Sequence, residues 1–141
     1  MRVYLDAAPV ICAVEQVPGS RAAVDARLAA PGVVPVTSEP TRLECRVTPL
    51  REGDAALLAD VDACFAEAVT VVALTREVID RATGLRARHG VRTPDALHLA
   101  AAVASGCDVF LTNDLRLAHF PGVAVEVVTP GPPLSPERAP A

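Results

Sequence analysis

The stretch TPDALHLAAAVASGCDVFLTND, Thr93 to Asp114, limits what this chain can fold into more than any other. Thr93 is a helix N-cap, Pro94 fits the first helical position, and the apolar run to Ser105 continues the helix until Gly106 stops it. Val109-Phe110-Leu111 then reads as a short buried strand. The same succession of strand and helix recurs elsewhere. Val3-Tyr4-Leu5 is a strand, Ala8 to Gln16 a helix, Arg21 to Ala30 a second helix capped by Ser20, and Val33 to Thr37 a strand whose Pro35 implies weak or interrupted pairing. Thr37 or Ser38 caps a helix to about Val47, Asp54 caps a longer one to about Ala68, Thr70 to Leu74 is β-branched strand, and Thr75 opens a helix to His89 with Gly90 as its left-handed stop. Val123 to Val128 is one more candidate strand. Strands alternating with helices predict a three-layer α/β/α sandwich around a mostly parallel sheet with right-handed crossovers.

Composition agrees. The 141 residues suffice for one domain, and with no Trp, one Tyr and three Phe the core must come from Ala, Val, Leu and Ile. A single domain over 1–128 is expected, followed by a proline-rich, disordered tail over 129–141. No apolar run is long enough for a membrane span, and Asp6 breaks any signal-peptide core, so a cytoplasmic protein without membrane association is expected. Cys12, Cys45, Cys64 and Cys107 lack CxxC spacing and read as reduced core thiols. The net charge of −4 argues against a broad basic surface, though not a local one. All 13 basic residues are arginine, which excludes any mechanism that needs a lysine.

In open parallel sheets ligands bind beyond the carboxyl ends of the strands. Asp6 follows the first strand and Asp114 the strand at 109–111, both at that edge. Asp95 lies in the first turn of the helix leading into the latter strand, so topology brings three carboxylates together; Glu44, about one turn into its helix, is a weaker fourth. Crowded carboxylates repel, and a hard divalent cation such as Mg2+ or Mn2+ resolves the conflict while supporting phosphodiester hydrolysis. Each acid has a structural alternative: Asp95 as a helix-dipole residue, Asp114 as a turn residue, Glu44 as a solvated helix position. Thr112 either orients a carboxylate or caps a turn. Arg42, Arg46, Arg88, Arg92 and Arg116 are candidate phosphate contacts around the crevice. His89, His98 and His119 read as solvated or packing residues.

The segments VYLDAAPVI, SEPTRLECRV, TPDALHLAAAV and VFLTND resemble, in order and spacing, the four acidic motifs of the PIN domain, and within it the VapC-type toxins of bacterial toxin–antitoxin pairs. The resemblance spans about residues 1 to 128. It implies a magnesium-dependent, dimeric endoribonuclease acting on structured RNA, often transfer or ribosomal RNA, and inhibited by a cognate antitoxin. Asp6 and Asp95 would be the principal metal ligands, Glu44 would complete the acidic pocket, and Asp114 would bind metal directly or through water. Ala7 and Ala8 stand where many relatives carry a hydroxyl, and Glu39 competes with Glu44 for the second motif. Receiver and phosphotransfer domains also place aspartates at this edge but rely on a lysine, absent here. A catalytically degenerate module that binds RNA or protein is the remaining alternative.

Overall fold

The chain begins with a strand, β1 (Arg2–Leu5), that becomes the centre of one parallel sheet. On one side it pairs with β2 (Val34–Ser38), which in turn pairs with β3 (Thr70–Val72); on the other it pairs with β4 (Val109–Thr112), followed by β5 (Ala124–Val127). The order β3-β2-β1-β4-β5 reverses its direction of growth at β1, so the crevice beyond the carboxyl ends of β1 and β4 is the topological switch point of the sheet. The computed structural model describes residues 1–128; the tail expected to be disordered lies outside the described residues.

Alternation along the strands divides the core between the two faces. Tyr4, Val36 and Phe110 pack with residues of α5 (Arg76–His89) and α6 (Thr93–Ala104). Val3, Leu5, Val109 and Leu111 face the other layer, where α1 (Ala7–Val14), α2 (Ser20–Leu28), α3 (Glu39–Glu52) and α4 (Ala55–Ala63) contribute Val10, Val24, Cys45 and Val61. The three-layer α/β/α sandwich is therefore present. Ala96, Leu99, Ala100, Ala101 and Ala102 are wholly buried, and the small side chains of the four alanines let α6 lie close to both α5 and the sheet. The cysteines are free thiols, Cys12 and Cys45 buried and Cys64 and Cys107 half-buried. Among the described residues, no helix is long and apolar enough to cross a membrane.

Several local expectations need correction. Pro35 does not interrupt β2, which pairs with β1 through Pro35 itself. The Val34 N–H bonds to Met1 on the β1 side, so position 35 faces β3, whose pairing starts only at Val36; no ladder donor is missed there. Ser20 and Thr93 are the first residues of their helices rather than caps, with Gly19 and Arg92 at the cap positions. The Thr93 hydroxyl is engaged by Arg86 instead, at 2.9 Å. Helix α3 runs past Val47, carrying the buried Pro49 within it, until Gly53 ends it in the left-handed conformation. Asp54 caps α4 as expected through the Leu57 N–H, but the last turn, Cys64–Ala68, widens to a π-helix around the buried Phe65. A short 3₁₀ turn over Leu115–Leu117, absent from the sequence reading, follows β4.

Candidate active site

Asp6 leaves β1 at the switch point and caps α1, its Oδ1 accepting the Ala7 N–H at 2.9 Å. The adjacent strand supplies a second anchor, since Thr112 at the end of β4 donates its hydroxyl to Asp6 Oδ2 at 2.7 Å. That hydroxyl also accepts the Asp114 N–H at 3.1 Å, so the Thr-Asn-Asp turn is fastened to the same point. Thr112 is thus bonded both to the Asp6 carboxylate and to the turn at Asp114.

A cavity of about 570 Å³ opens here, lined by Asp6, Ala8, Glu44, Thr112, Asn113 and Asp114 among others. Glu44 reaches it from α3, whereas Glu39 lines a separate groove along that helix. Asp95 does not line this cavity. It borders a neighbouring one of about 190 Å³ together with Arg92 and Arg116. Topology alone ranked Asp95 above Glu44; the structure brings Glu44 into the cavity with Asp6 and sets Asp95 beside it. Arg116 connects the two spaces, because it also grips both Asp114 carboxylate oxygens, with Nε 3.0 Å from Oδ1 and 3.2 Å from Oδ2 and Nη2 2.6 Å from Oδ2. This pairing holds the Asp114 carboxyl below its ordinary range, against a smaller opposing effect of burial. Arg92 pairs more loosely with Asp95, at 3.3 Å.

The other arginines fall elsewhere. Arg46 is paired with Asp62 of α4 at 2.9 Å, and with Arg42 it lines the groove along α3 rather than the acidic cavity. Arg88 lines a groove between α5 and α6. Of the candidate phosphate contacts, Arg92 and Arg116 are the pair placed beside the acids.

His98 was read from the sequence as a packing or solvated residue, and it is neither alone. It is 2% exposed, with Nε2 at 2.9 Å from Glu44 Oε1 and 3.7 Å from Asp6 Oδ1. Its Nδ1 lies 2.8 Å from the Tyr4 hydroxyl and 3.3 Å from the Thr41 hydroxyl, and Tyr4 in turn meets Ser38 Oγ at 2.6 Å. Burial works against a charged imidazole, but the bond to Glu44 and the charges of Asp6, Glu44 and Asp95 together raise the His98 pKa. Burial likewise pushes the Tyr4 phenol up, outweighing its hydroxyl partners. The one usable signal in the sequence was the i+3 spacing of His98 from Asp95, which puts both on one helix face. Asn113 was also missed: its Oδ1 is buried without a hydrogen-bond partner.

Among the described residues, no three Asp, Glu, His or Cys side chains are gathered closely enough to cage a cation. The side chains lining the cavity nonetheless supply hard oxygens, the carboxylates of Asp6, Glu44 and Asp114 and the Thr112 hydroxyl. That chemistry fits Mg2+ or Mn2+, which take one or two protein carboxylates and keep several waters.

A family model of the PIN domain matches residues 3–123. No curated protein matches the sequence. In three dimensions the chain is similar to one from VapBC2 of Rickettsia felis, a complex bound to a DNA fragment from its promoter, with a TM-score of 0.74 and 15% identity over 90% of this chain and 98% of that one. It is similar to a chain of DNA-bound VapBC from Salmonella typhimurium, with a TM-score of 0.67 and 21% identity over 92% and 99% of the two chains. It is also similar to VapC20 of Mycobacterium tuberculosis, a toxin that cleaves the sarcin–ricin loop, with a TM-score of 0.68 and 17% identity over 86% and 98%. At such identities these neighbours establish likeness of fold. The family match, covering nearly all of the described residues, goes further: the chain belongs to the PIN-domain family.

Proposed function

We propose that this protein is a magnesium-dependent endoribonuclease, with Mn2+ as a possible substitute, and the toxin of a toxin–antitoxin pair. The observation that carries the reading is the seating of Asp6: an acid at the switch point, fixed by Ala7 and Thr112, facing one cavity with Glu44 and Asp114. Asp6, Asp95 and Asp114 would hold the cation, and Glu44 would complete the acidic pocket. A bound Mg2+ would supply positive charge for the scissile phosphate and acidify a water for attack.

The protein's own contribution is placement. Two hydrogen bonds leave an ionised carboxylate with spare acceptor capacity, so Asp6 keeps lone pairs for the cavity while its orientation is fixed. Arg116 and Arg92 carry guanidinium forks that match phosphate oxygens. Transfer of Arg116 from Asp114 to a substrate phosphate would draw in the RNA and release the carboxylate in one movement. The buried Thr112 supplies a hydroxyl to the pocket despite the alanines at positions 7 and 8.

The substrate is structured RNA, transfer or ribosomal; VapC20, similar in fold, is described as cleaving the sarcin–ricin loop. Neighbours solved as toxin–antitoxin complexes support inhibition by a cognate antitoxin. A homodimer acting in the cytoplasm completes the proposal. The test is direct: purified protein, freed of any partner, is incubated with total RNA and Mg2+. Cleavage should require the metal and disappear in Asp6→Asn and Asp95→Asn; cleavage that persists in either variant overturns the assignment.

The pairing of Asp114 with Arg116 and of Asp95 with Arg92 favours a second reading, a silent module that binds RNA or protein without cutting it. Mn2+ titration separates the two, since an intact pocket binds the ion and loses affinity on either aspartate substitution.

A further inference from the structure

We propose that His98 is a positioning residue for Glu44: its Nε2–H, held in place by the Tyr4 hydroxyl, fixes where that carboxylate stands relative to Asp6. The importance of Glu44 rests on the nuclease reading above, whereas the hold of the ring on Glu44 can be tested without it.

The proton inventory assigns the ring. A carboxylate can only accept, so the 2.9 Å contact between Nε2 and Glu44 Oε1 requires a proton on Nε2. In the neutral imidazole Nδ1 is then bare and must accept, and Tyr4 O–H at 2.8 Å is the donor in place. Tyr4 in turn accepts from the Ser38 hydroxyl at 2.6 Å. With the ring neutral the relay Ser38 to Tyr4 to His98 to Glu44 runs in one direction; with the ring charged Nδ1 donates to Tyr4 instead, and the Nε2–H on Glu44 is the same in both states. The first three members of the relay are buried, and Thr41 closes the space beside Nδ1. Burial raises the Tyr4 phenol and so keeps its proton available for donation.

Glu44 has less support of its own. Its side chain is 36% exposed, and the bond to His98 is its only side-chain hydrogen bond among the described residues. Without that bond a glutamate on a helix surface samples several rotamers at little cost. The 3.7 Å separation of Nε2 from Asp6 Oδ1 is too long for a hydrogen bond, yet it places the N–H dipole between two like charges and eases their approach. The ring thus holds Glu44 directly and tempers the repulsion that would drive it from Asp6.

The experiment compares His98→Gln, which keeps an amide N–H near the Nε2 position, with His98→Leu, which removes it, each alone and combined with Glu44→Gln. Mn2+ affinity of the full chain and the kcat and KM of RNA cleavage are measured, with thermal melts as a check on folding. His98→Leu should weaken Mn2+ binding by up to about 10-fold, because Glu44, which completes the pocket beside the ligands, is then no longer held there. His98→Gln should restore most of it, and His98→Leu should add no further loss once Glu44 is already Gln. An equal loss in both backgrounds, or wild-type affinity in His98→Leu, overturns the proposal. Nitrogen-15 spectra of the imidazole at a pH where it is neutral supply a readout that needs no activity. They should show the Nε2–H tautomer, with the Nδ1 shift moved by Tyr4→Phe and the Nε2 shift moved by Glu44→Gln. A neutral ring protonated on Nδ1 overturns the proposal even if His98→Leu fails to fold. If the spectra show the expected tautomer but wild-type protein neither binds Mn2+ nor cuts RNA, the nuclease reading fails while the hold of His98 on Glu44 stands.

Discussion

Thr112 Oγ1 donates to Asp6 Oδ2 at 2.7 Å across the β1–β4 boundary, so the acid that ends the first strand is steered by a hydroxyl from the far half of the chain. The same oxygen accepts the Asp114 N–H, and Thr112 is fully buried. Thr112→Val, close to isosteric, removes a hydroxyl bonded to a carboxylate and leaves the Asp114 amide unpartnered. A destabilisation of about 1–3 kcal/mol is expected in urea unfolding. RNA cleavage should fall on the order of 10-fold, because an orienting partner is lost. Thr112→Ser should recover both; a valine variant with undiminished cleavage would show that Asp6 needs no steering.

Arg116 competes for Asp114. Its guanidinium occupies both carboxylate oxygens in the described state, and Asp114 must be released before it can serve a cation. Arg116→Ala should therefore tighten Mn2+ binding by a few-fold in a direct titration. RNA affinity should fall over the same range, because a phosphate-matching fork has been removed. Mn2+ affinity that stays constant or weakens would mean that Asp114 is not a ligand.

Much of this site was legible because its acids sit beside strong local punctuation. Pro94 and Gly106 delimit the helix that carries Asp95, and the apolar run 109–111 locates the turn at Asp114. Asp6 follows from the end of β1 in the same way. The interior polar relay was not legible, since Tyr4, Ser38, Thr41 and His98 come from separate elements and no local period links them. Tyr4 fits the strand pattern as an apolar residue stacked on Phe110, with ring centroids 5.2 Å apart, and only the neighbourhood of its hydroxyl shows a second role. The division between Asp95 and Glu44 was equally hidden. Which of two helix-borne acids enters a crevice depends on helix placement, to which hydrophobic periodicity is blind.

Burial makes a separate prediction for the thiols. The Cys45 pKa is pushed up to about 12, first by burial and then by the charge of Glu44 nearby. Only the thiolate is nucleophilic, so a raised pKa means a vanishing reactive fraction at neutral pH. Iodoacetamide at pH 8 should leave Cys45 unmodified in the folded protein and alkylate it fully in urea, as read by peptide mass spectrometry. Cys64 and Cys107, also raised but only half-buried, should label slowly in the folded state. Rapid native labelling of Cys45 would show that the face of α3 bearing it is open.

The packing of α6 sets the geometry at its N-terminal end, where Asp95 and His98 lie, and predicts opposite substitutions with the same sign. Leu99 and Ala101 are both wholly buried in the layer between sheet and α5. Leu99→Ala should cost about 2–5 kcal/mol, because the transfer energy and the cavity add. Ala101→Leu should also destabilise, by about 1–3 kcal/mol, since no space exists for the larger side chain and the helix must move outward. Urea unfolding with an unchanged m-value is the measure of both. The leucine variant should lose more RNA cleavage than its folded fraction explains, because an outward shift of α6 carries His98 away from Glu44. If Ala101→Leu is neutral or stabilising, α6 is not seated against the sheet as described, and the placement of His98 against Glu44 loses its support.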